Sequence, residues 1–319
     1  MKRKNKINPD TKLRIVTWKW KGSTIHPKKK IYFTSEHVNK LVSMLKRHLS
    51  MPYEVVCITD DPAGLDPSVR PIELWKDFAH LGGCYRRLKL FSKEMSSLIG
   101  PRMVSIDLDL IICGDVTPLF SRAEDFIIWG EHEREHPYCG ALWIMDAGCR
   151  PDVWDTFTGK DLPDKKGGTD QAVINKLLYP YEMMWTKDNG IYNYNRDVKL
   201  YPKQVKLSEK VRRKERIREI ESVVTTVSAE AREQSKKAKE DKLHADLRMK
   251  KMITKAVNKK VKDLEKKRRV EADQFLRVYG RGGTGKLPDN ARIIFFNGSY
   301  DPSQPELQAE CPWVKEHWR

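Results

Sequence analysis

Asp107 and Asp109 stand two residues apart inside MVSIDLDLIICGDVTPLF, residues 103–120. On a strand, side chains at i and i+2 point to the same face. Two carboxylates that close repel, and one keeps its proton unless a cation lies between them. A divalent, oxygen-loving ion such as Mn²⁺ or Mg²⁺ relieves the repulsion. The alternative is a strand end whose acids face water. Apolar residues on both sides, 103–106 and 110–113, favour the ion, because acids inside a hydrophobic run do more than solubilise.

Positioning such a pair takes a sheet. Leu13–Trp18 and Tyr53–Thr59 read as buried strands, and Val69–Leu74 as a shorter one. Between the first two, Lys19–Lys30 reads as a basic loop. Glu36–Leu49 follows with apolar residues at 38, 41, 42, 45 and 49, the spacing of a helix ended by Pro52. Further strands are expected at Phe126–Trp129, Gly140–Met145, around Trp185 and Ile191, and at Arg292–Phe296. Further helices are expected near Trp154–Phe157 and at Thr169–Leu178, the latter capped by Thr169 and stopped by Pro180. The alternation predicts an α/β fold, a mostly parallel sheet flanked by helices. Ligands of such sheets sit at the carboxyl ends of the strands. Thr17, Trp18, Thr59, Asp60 and the acid pair all fall at such ends. Cys84–Ile99 is expected as a helix whose start carries Arg86, Arg87 and Lys89. Cations there oppose the helix dipole, which suits either a facing anion such as a diphosphate or a solvated basic face.

The 319 residues carry a formal net charge of +17, which implies a polyanionic partner or substrate: nucleic acid, an anionic membrane surface or a nucleotide. The charge is unevenly placed. Residues 203–277 contain 25 Lys or Arg against 13 Asp or Glu, a surplus of 12, with no Gly or Pro. Apolar residues recur there at spacings of three and four, which predicts two amphipathic helices of about 30 residues each. This segment is expected as an insertion, a charged arm within a domain formed by 1–202 and 278–319. A coiled coil for homodimerisation and a basic arm for DNA both fit it, and a membrane-surface contact is a third possibility. The six cysteines are scattered without a C-x-x-C pair and read as reduced packing residues of a cytoplasmic chain. No run of 18 apolar residues exists to span a membrane, and the basic start MKRKNKINPDTK lacks the apolar core of a secretory signal.

Three motifs carry less than their patterns promise. His132-Glu133-Arg134-Glu135-His136 matches a zinc-protease pattern, but Gly130 and Pro137 bracket it where a continuous helix is required. Gly280 to Lys286 matches a phosphate loop, but Leu287 replaces the hydroxyl residue and Pro288 blocks the helix that must follow. Asn297-Gly298-Ser299 is a glycosylation sequon with no secretory signal to give it effect.

The run Val104-Ser105-Ile106-Asp107-Leu108-Asp109, then Gly114-Asp115 and Leu119-Phe120, resembles the heart of the GT-A glycosyltransferases, family eight and its bacterial and phage relatives above all. Tyr138-Cys139-Gly140-Ala141-Leu142-Trp143 resembles the segment that lines the sugar site. Thr169-Asp170-Gln171 with Asn175 resembles the D-Q-x-x-x-N helix start, and Phe295-Phe296-Asn297-Gly298 with Asp301-Pro302 the C-terminal motif. The resemblance spans 13–202 and 286–319. It implies transfer of a sugar from a nucleoside diphosphate, a UDP-sugar first among donors, with anomeric configuration retained. Mn²⁺ or Mg²⁺ would sit on Asp107, Asp109 and Asn297. Arg86, Arg87 and Lys89 would meet the diphosphate, and Trp18 the base. Tyr138, Gly140 and Gly298 would line the donor site, with Asp170 and Gln171 facing the sugar. The family's third metal ligand, a His, aligns with Phe295, and its phosphate-binding Lys aligns with Asp301. Asn297 or Asp301 is therefore expected to supply the missing oxygen.

Overall fold

The computed structural model describes residues 12–21, 24–26, 31–78, 80, 84–131, 136–159, 169–199, 283–296, 298 and 300–319. The chain divides into two compact units, Met1–Val198 with Gly285–Arg319, and Lys199–Thr284. The arm expected at 203–277 lies outside the described residues, as do 132–135 of the zinc-protease-like pattern.

In chain order the strands of the first unit are β1 Leu13–Lys19, β2 Thr24–His26, β3 Ile31–Tyr32, β4 Tyr53–Thr59, β5 Val69–Glu73, β6 Arg102–Ile106, β7 Leu110–Ile112, β8 Phe126–Gly130, β9 Tyr138–Asp146, β10 Met183–Trp185, β11 Ile191–Asn193 and β12 Ile293–Phe295. Seven of them form one sheet in the order β10-β8-β9-β6-β1-β4-β5. Neighbours from β6 to β5 run parallel, whereas β9 is antiparallel to both β6 and β8. The sheet is thus mixed, and its parallel half carries the acid pair. β9 is longer than the apolar run alone suggests, because Tyr138 to Met145 are all buried under layers on both faces.

Helix α1, Ser35–His48, crosses from β1 to β4 on one face. Its apolar stripe, including Val38, Leu41 and Leu45, packs with Leu13 and Ile15 of β1. Glu36 in its first turn and Lys46, Arg47 and His48 in its last suit the helix dipole. The opposite face of the sheet packs Val16, Trp18, Leu88, Phe91 and Trp143.

The expected basic helix at 84–99 is divided. Tyr85–Phe91 is a 3-10 helix, Ser92 is extended, and α2 covers only Met95–Leu98. Tyr85, Arg87, Leu88, Leu90 and Phe91 are all buried, so tertiary packing on several sides overrides the amphipathic spacing. The acid pair also differs from its expected setting. β6 ends at Ile106, Asp107 to Asp109 form a bend, and Leu110–Ile112 joins a second sheet ordered β11-β12-β7. The bend is pinned at both ends: Asp107 N–H donates to the Ala141 carbonyl at 3.0 Å, and Phe296 N–H donates to the Asp109 carbonyl at 2.7 Å.

Phe295 of β12 lies flat against Trp129 of β8, centroids 4.5 Å apart, and so ties the small sheet to the large one. It is fully buried. Placing there the histidine of the pattern the sequence resembles would bury an imidazole in an apolar stack. Phe295→His is expected to lower unfolding free energy by roughly 2–4 kcal/mol in urea titration. It is expected to leave Mn²⁺ affinity no higher than that of the wild type, measured by calorimetry.

Candidate active site

The site is built where β6 ends beside β9. Arg87, from the 3-10 helix, is 5% exposed and reaches three acceptors. Its Nε donates to Asp170 Oδ2 at 2.7 Å, its Nη2 donates to the Gly140 carbonyl at 2.8 Å, and its Nη1 pairs with Asp107. The guanidinium also lies 5.7 Å from the Trp143 ring centroid. A planar fork with fixed donors suits this three-way contact, which a lysine cannot reproduce.

Asp170 opens helix α5, Asp170–Leu178, following α3 Thr117–Phe120 and α4 Asp152–Asp155 in chain order. It is 1% exposed, and its Oδ1 accepts the Gln171 N–H at 2.9 Å. Asn175, one turn on, holds α5 to β9: its Oδ1 accepts Tyr138 N–H at 2.8 Å and its Nδ2 donates to the Tyr138 carbonyl at 2.7 Å. The D-Q-x-x-x-N pattern therefore has a local cause. Its Asp faces Arg87, and its Asn fixes the helix to the strand that carries Gly140.

Gly140 has to be small. A Cβ there would lie 3.0 Å from Arg87 Nη2 and 3.1 Å from Asp170 Oδ1. A methyl group would therefore push into the ion pair.

Burial raises the carboxyl of Asp109 well above the usual range, and the charges of Asp107 and Asp301 raise it further. Burial also raises Asp107, with Arg87 opposing it. Asp170 is pushed up to about 6, chiefly by burial, again with Arg87 opposing. These carboxyls form a mutually repelling group for which one resident cation is insufficient. A hard divalent ion is the chemistry such oxygens accept. Among the described residues, no group of three or more His, Cys, Asp or Glu side chains is placed to hold an ion unaided. Asp107 and Asp109 are the oxygen donors that would hold such an ion.

Asp301 joins this group from the C-terminal segment. It is fully buried. Its Oδ1 accepts Ser303 N–H at 2.9 Å and lies 3.3 Å from His37 Nε2, while its Oδ2 has no hydrogen-bond partner. Thr34 N–H donates to His37 Nδ1 at 3.2 Å, so the proton of the ring sits on Nε2 and is donated to Asp301. This link between the start of α1 and the C-terminal segment was not legible as a site feature. The only signal for it is a histidine within the apolar stripe of α1.

The other expected site residues are placed elsewhere or in other roles. Trp18 is 4% exposed and packs edge-on against Trp20 and Trp75, so its ring belongs to the core. Lys89 pairs with Asp77 at 2.8 Å and Glu94 at 3.3 Å, beside the rings of Trp75 and Trp154. Acids of its own neighbourhood thus hold this cation. The buried Tyr138 side chain donates to the Glu182 carbonyl at 3.1 Å, bracing β9. The Arg86 carbonyl accepts from Trp75 Nε1 at 2.9 Å. Gly298 is left-handed at φ 85°, and no atom of the described residues lies within 4 Å of where a Cβ would stand. Asn297 lies outside the described residues. The structure brings together Asp107, Asp109, Arg87, Gly140, Asp170 and Gln171.

No protein-family model matches the chain, and no curated protein matches it. Solved structures do. The glycosyltransferase GlyE of Streptococcus pneumoniae TIGR4 aligns over 56% of this chain and 46% of its own, at 13% identity and TM-score 0.40. The apo form of GlyE aligns over 97% and 61%, at 11% identity and TM-score 0.46. The galactosyltransferase LgtC, in complex with donor and acceptor sugar analogues, aligns over 96% and 95%, at 9% identity and TM-score 0.47. The chain thus spans 46% and 61% of the two GlyE chains. At these values the likeness is one of architecture alone.

Gly140→Ala is expected to reduce turnover on the order of tenfold by shifting Arg87 and Asp170 a few tenths of an ångström, with the melting temperature little changed. Kinetics with the donor that the wild type accepts check it. Asp170 also predicts a pH effect. Its carboxyl binds a proton more tightly folded than unfolded, about 6 against 3.8, so its contribution favours folding in acid and is lost as pH rises through about 6. Asp170→Asn is expected to flatten that fall in stability when urea unfolding is followed from about pH 4 to about pH 7.

Proposed function

We propose that the chain is a glycosyltransferase that takes a sugar from a nucleoside diphosphate, with Mn²⁺ or Mg²⁺ held by Asp107 and Asp109. One observation carries the reading. A half-exposed, mutually repelling acid pair lies at the carboxyl end of a parallel strand, beside a buried arginine that orients a third carboxylate. Such strand ends are where open α/β sheets bind ligands.

The step itself is simple to balance. The bond between the anomeric carbon and the diphosphate oxygen breaks, and its electron pair leaves on the diphosphate. A hydroxyl of the acceptor forms the new glycosidic bond and passes its proton to the departing diphosphate oxygen. The ion, when bound, stabilises the developing charge on the leaving diphosphate. Arg87 holds Asp107 and Asp170 in fixed positions, so that little reorganisation is needed as charge moves. Gln171 orients the sugar, and the buried Asp170 fixes Arg87 and the start of α5 behind it. The donor base is uridine in the first instance, on the resemblance in sequence.

The acceptor reading rests on charge. The surplus of 12 basic residues in 203–277 favours DNA, with a modified base as the group that receives the sugar. A glycan or lipid-linked acceptor is the rival. A nucleic-acid-binding protein without transferase activity is the reading from another class.

A panel of nucleotide sugars with Mn²⁺, read as nucleotide release, tests the proposal. Release is expected for at least one donor, abolished by a chelator and reduced roughly a hundredfold by Asp109→Ala. Release indifferent to both would overturn it. DNA is expected to stimulate release, and the stimulation to fall steeply with salt. A glycan acceptor predicts no such stimulation.

A further inference from the structure

The two carboxylate oxygens of the fully buried Asp301 do different work. Oδ1 accepts Ser303 N–H at 2.9 Å, accepts the Ser303 hydroxyl and faces His37 Nε2 at 3.3 Å. The Asp301 carbonyl accepts Gln304 N–H at 3.0 Å, and Gln304 Oε1 accepts Asp301 N–H at 3.2 Å, which completes the turn. An asparagine oxygen in the place of Oδ1 would accept the same bonds without a charge. Oδ2, by contrast, is buried and has no hydrogen-bond partner. A buried carboxylate oxygen left unpaired costs stability, so its presence calls for a reason outside the turn.

The reason lies in the acid beside it. β12 pairs with β7 in the register Phe295 to Leu110, so the segment that carries Asp301 sets out beside the acid bend. Phe296, on that segment, holds the Asp109 carbonyl through its N–H at 2.7 Å. The charge of Asp301 reaches Asp109 and raises its carboxyl. The nearby basic groups do not cancel this repulsion. Arg87 is committed to Asp107 and Asp170. Asp301 is paired with His37, and a ring that accepts at Nδ1 and donates from Nε2 carries no net charge.

We propose that Asp301 is a third acid of the divalent-ion site, its Oδ2 accepting from a water on the ion held by Asp107 and Asp109. Among the described residues no three His, Cys, Asp or Glu side chains are placed to hold an ion together, which puts Asp301 outside direct coordination. From there it orients the water of the ion and adds negative charge to the site. Acceptors that act through a ligand in this way change metal affinity roughly tenfold to a hundredfold. His37 is the residue that positions it, because its hold on Oδ1 leaves Oδ2 for the water. The inference rests on the nucleotide-sugar reading above and assigns a further residue to its ion.

The experiment measures ion binding and stability together. Mn²⁺ is titrated into the full chain with free Mn²⁺ read by electron paramagnetic resonance, first alone and then with uridine diphosphate, so that no turnover is needed. Asp301→Asn keeps the volume and the turn and removes the charge. Its Mn²⁺ affinity is expected to fall roughly tenfold to a hundredfold. Its melting temperature in chelator is expected to equal or exceed that of the wild type, because an uncompensated buried charge is gone. A purely structural role would not weaken the ion while sparing the fold. Asp301→Ser serves the same purpose should the Asn variant fail to fold. Wild type that binds no Mn²⁺ in either condition overturns the ion on which the nucleotide-sugar reading depends. Wild type that binds, with a variant of equal affinity, overturns the role of Asp301 alone. Affinity lost together with melting temperature, or failure of both variants to fold, assigns Asp301 to the fold and does the same.

Discussion

The candidate site depends on one guanidinium. Arg87 is buried, and it joins three elements that are far apart in sequence: the bend after β6, the start of α5 and the Gly140 carbonyl of β9. Enclosing these carboxylates without a cation would leave them protonated or at a cost in stability. The pairing with Asp107 and Asp170 keeps Arg87 firmly charged against the opposing effect of burial. The same pairing explains why β9 needs a glycine at 140 and why the 3-10 helix turns Arg87 inward. A change in any of these elements reaches the carboxylates through this one side chain.

Much of the scaffold was legible before the structure. The strands β1, β4, β6 and β8 and helices α1 and α5 follow from apolar spacing and breakers, because their packing faces are regular. What failed was irregular for a physical reason. The 84–99 segment has helical spacing, but it is enclosed on several sides, and enclosure selects a short 3-10 turn instead. The antiparallel course of β9 was hidden as well, because a strand buried on both faces carries no alternation from which to read direction.

The site was legible by residue type more than by role. Asp107, Asp109 and Asp170 stand out as acids beside apolar runs, and the structure gathers them with Arg87. The cations were harder to sort. Arg87 and Lys89 are two residues apart in one basic cluster, yet one bridges the site acids and the other is held by Asp77 and Glu94 beside two tryptophans. Only the positions of partners distant in sequence separate them. Trp18 follows the same logic, since a strand-end tryptophan is placed in the core or on a ligand by its neighbours and not by its own identity.

The C-terminal segment carries the deepest departure from the pattern the chain resembles. Phe295 fills an apolar stack against Trp129 where that pattern has a metal-binding histidine. Asp301 adds an acid where the pattern has a lysine. On the proposed reading the two changes are coupled by charge: losing a neutral ligand would leave an ion short of an oxygen or nitrogen donor, and gaining an acid would leave a diphosphate short of a cation. An extra carboxylate near Asp109 strengthens the field that attracts a divalent ion while weakening the hold on an anionic donor. A chain that keeps both functions must then supply positive charge from another element.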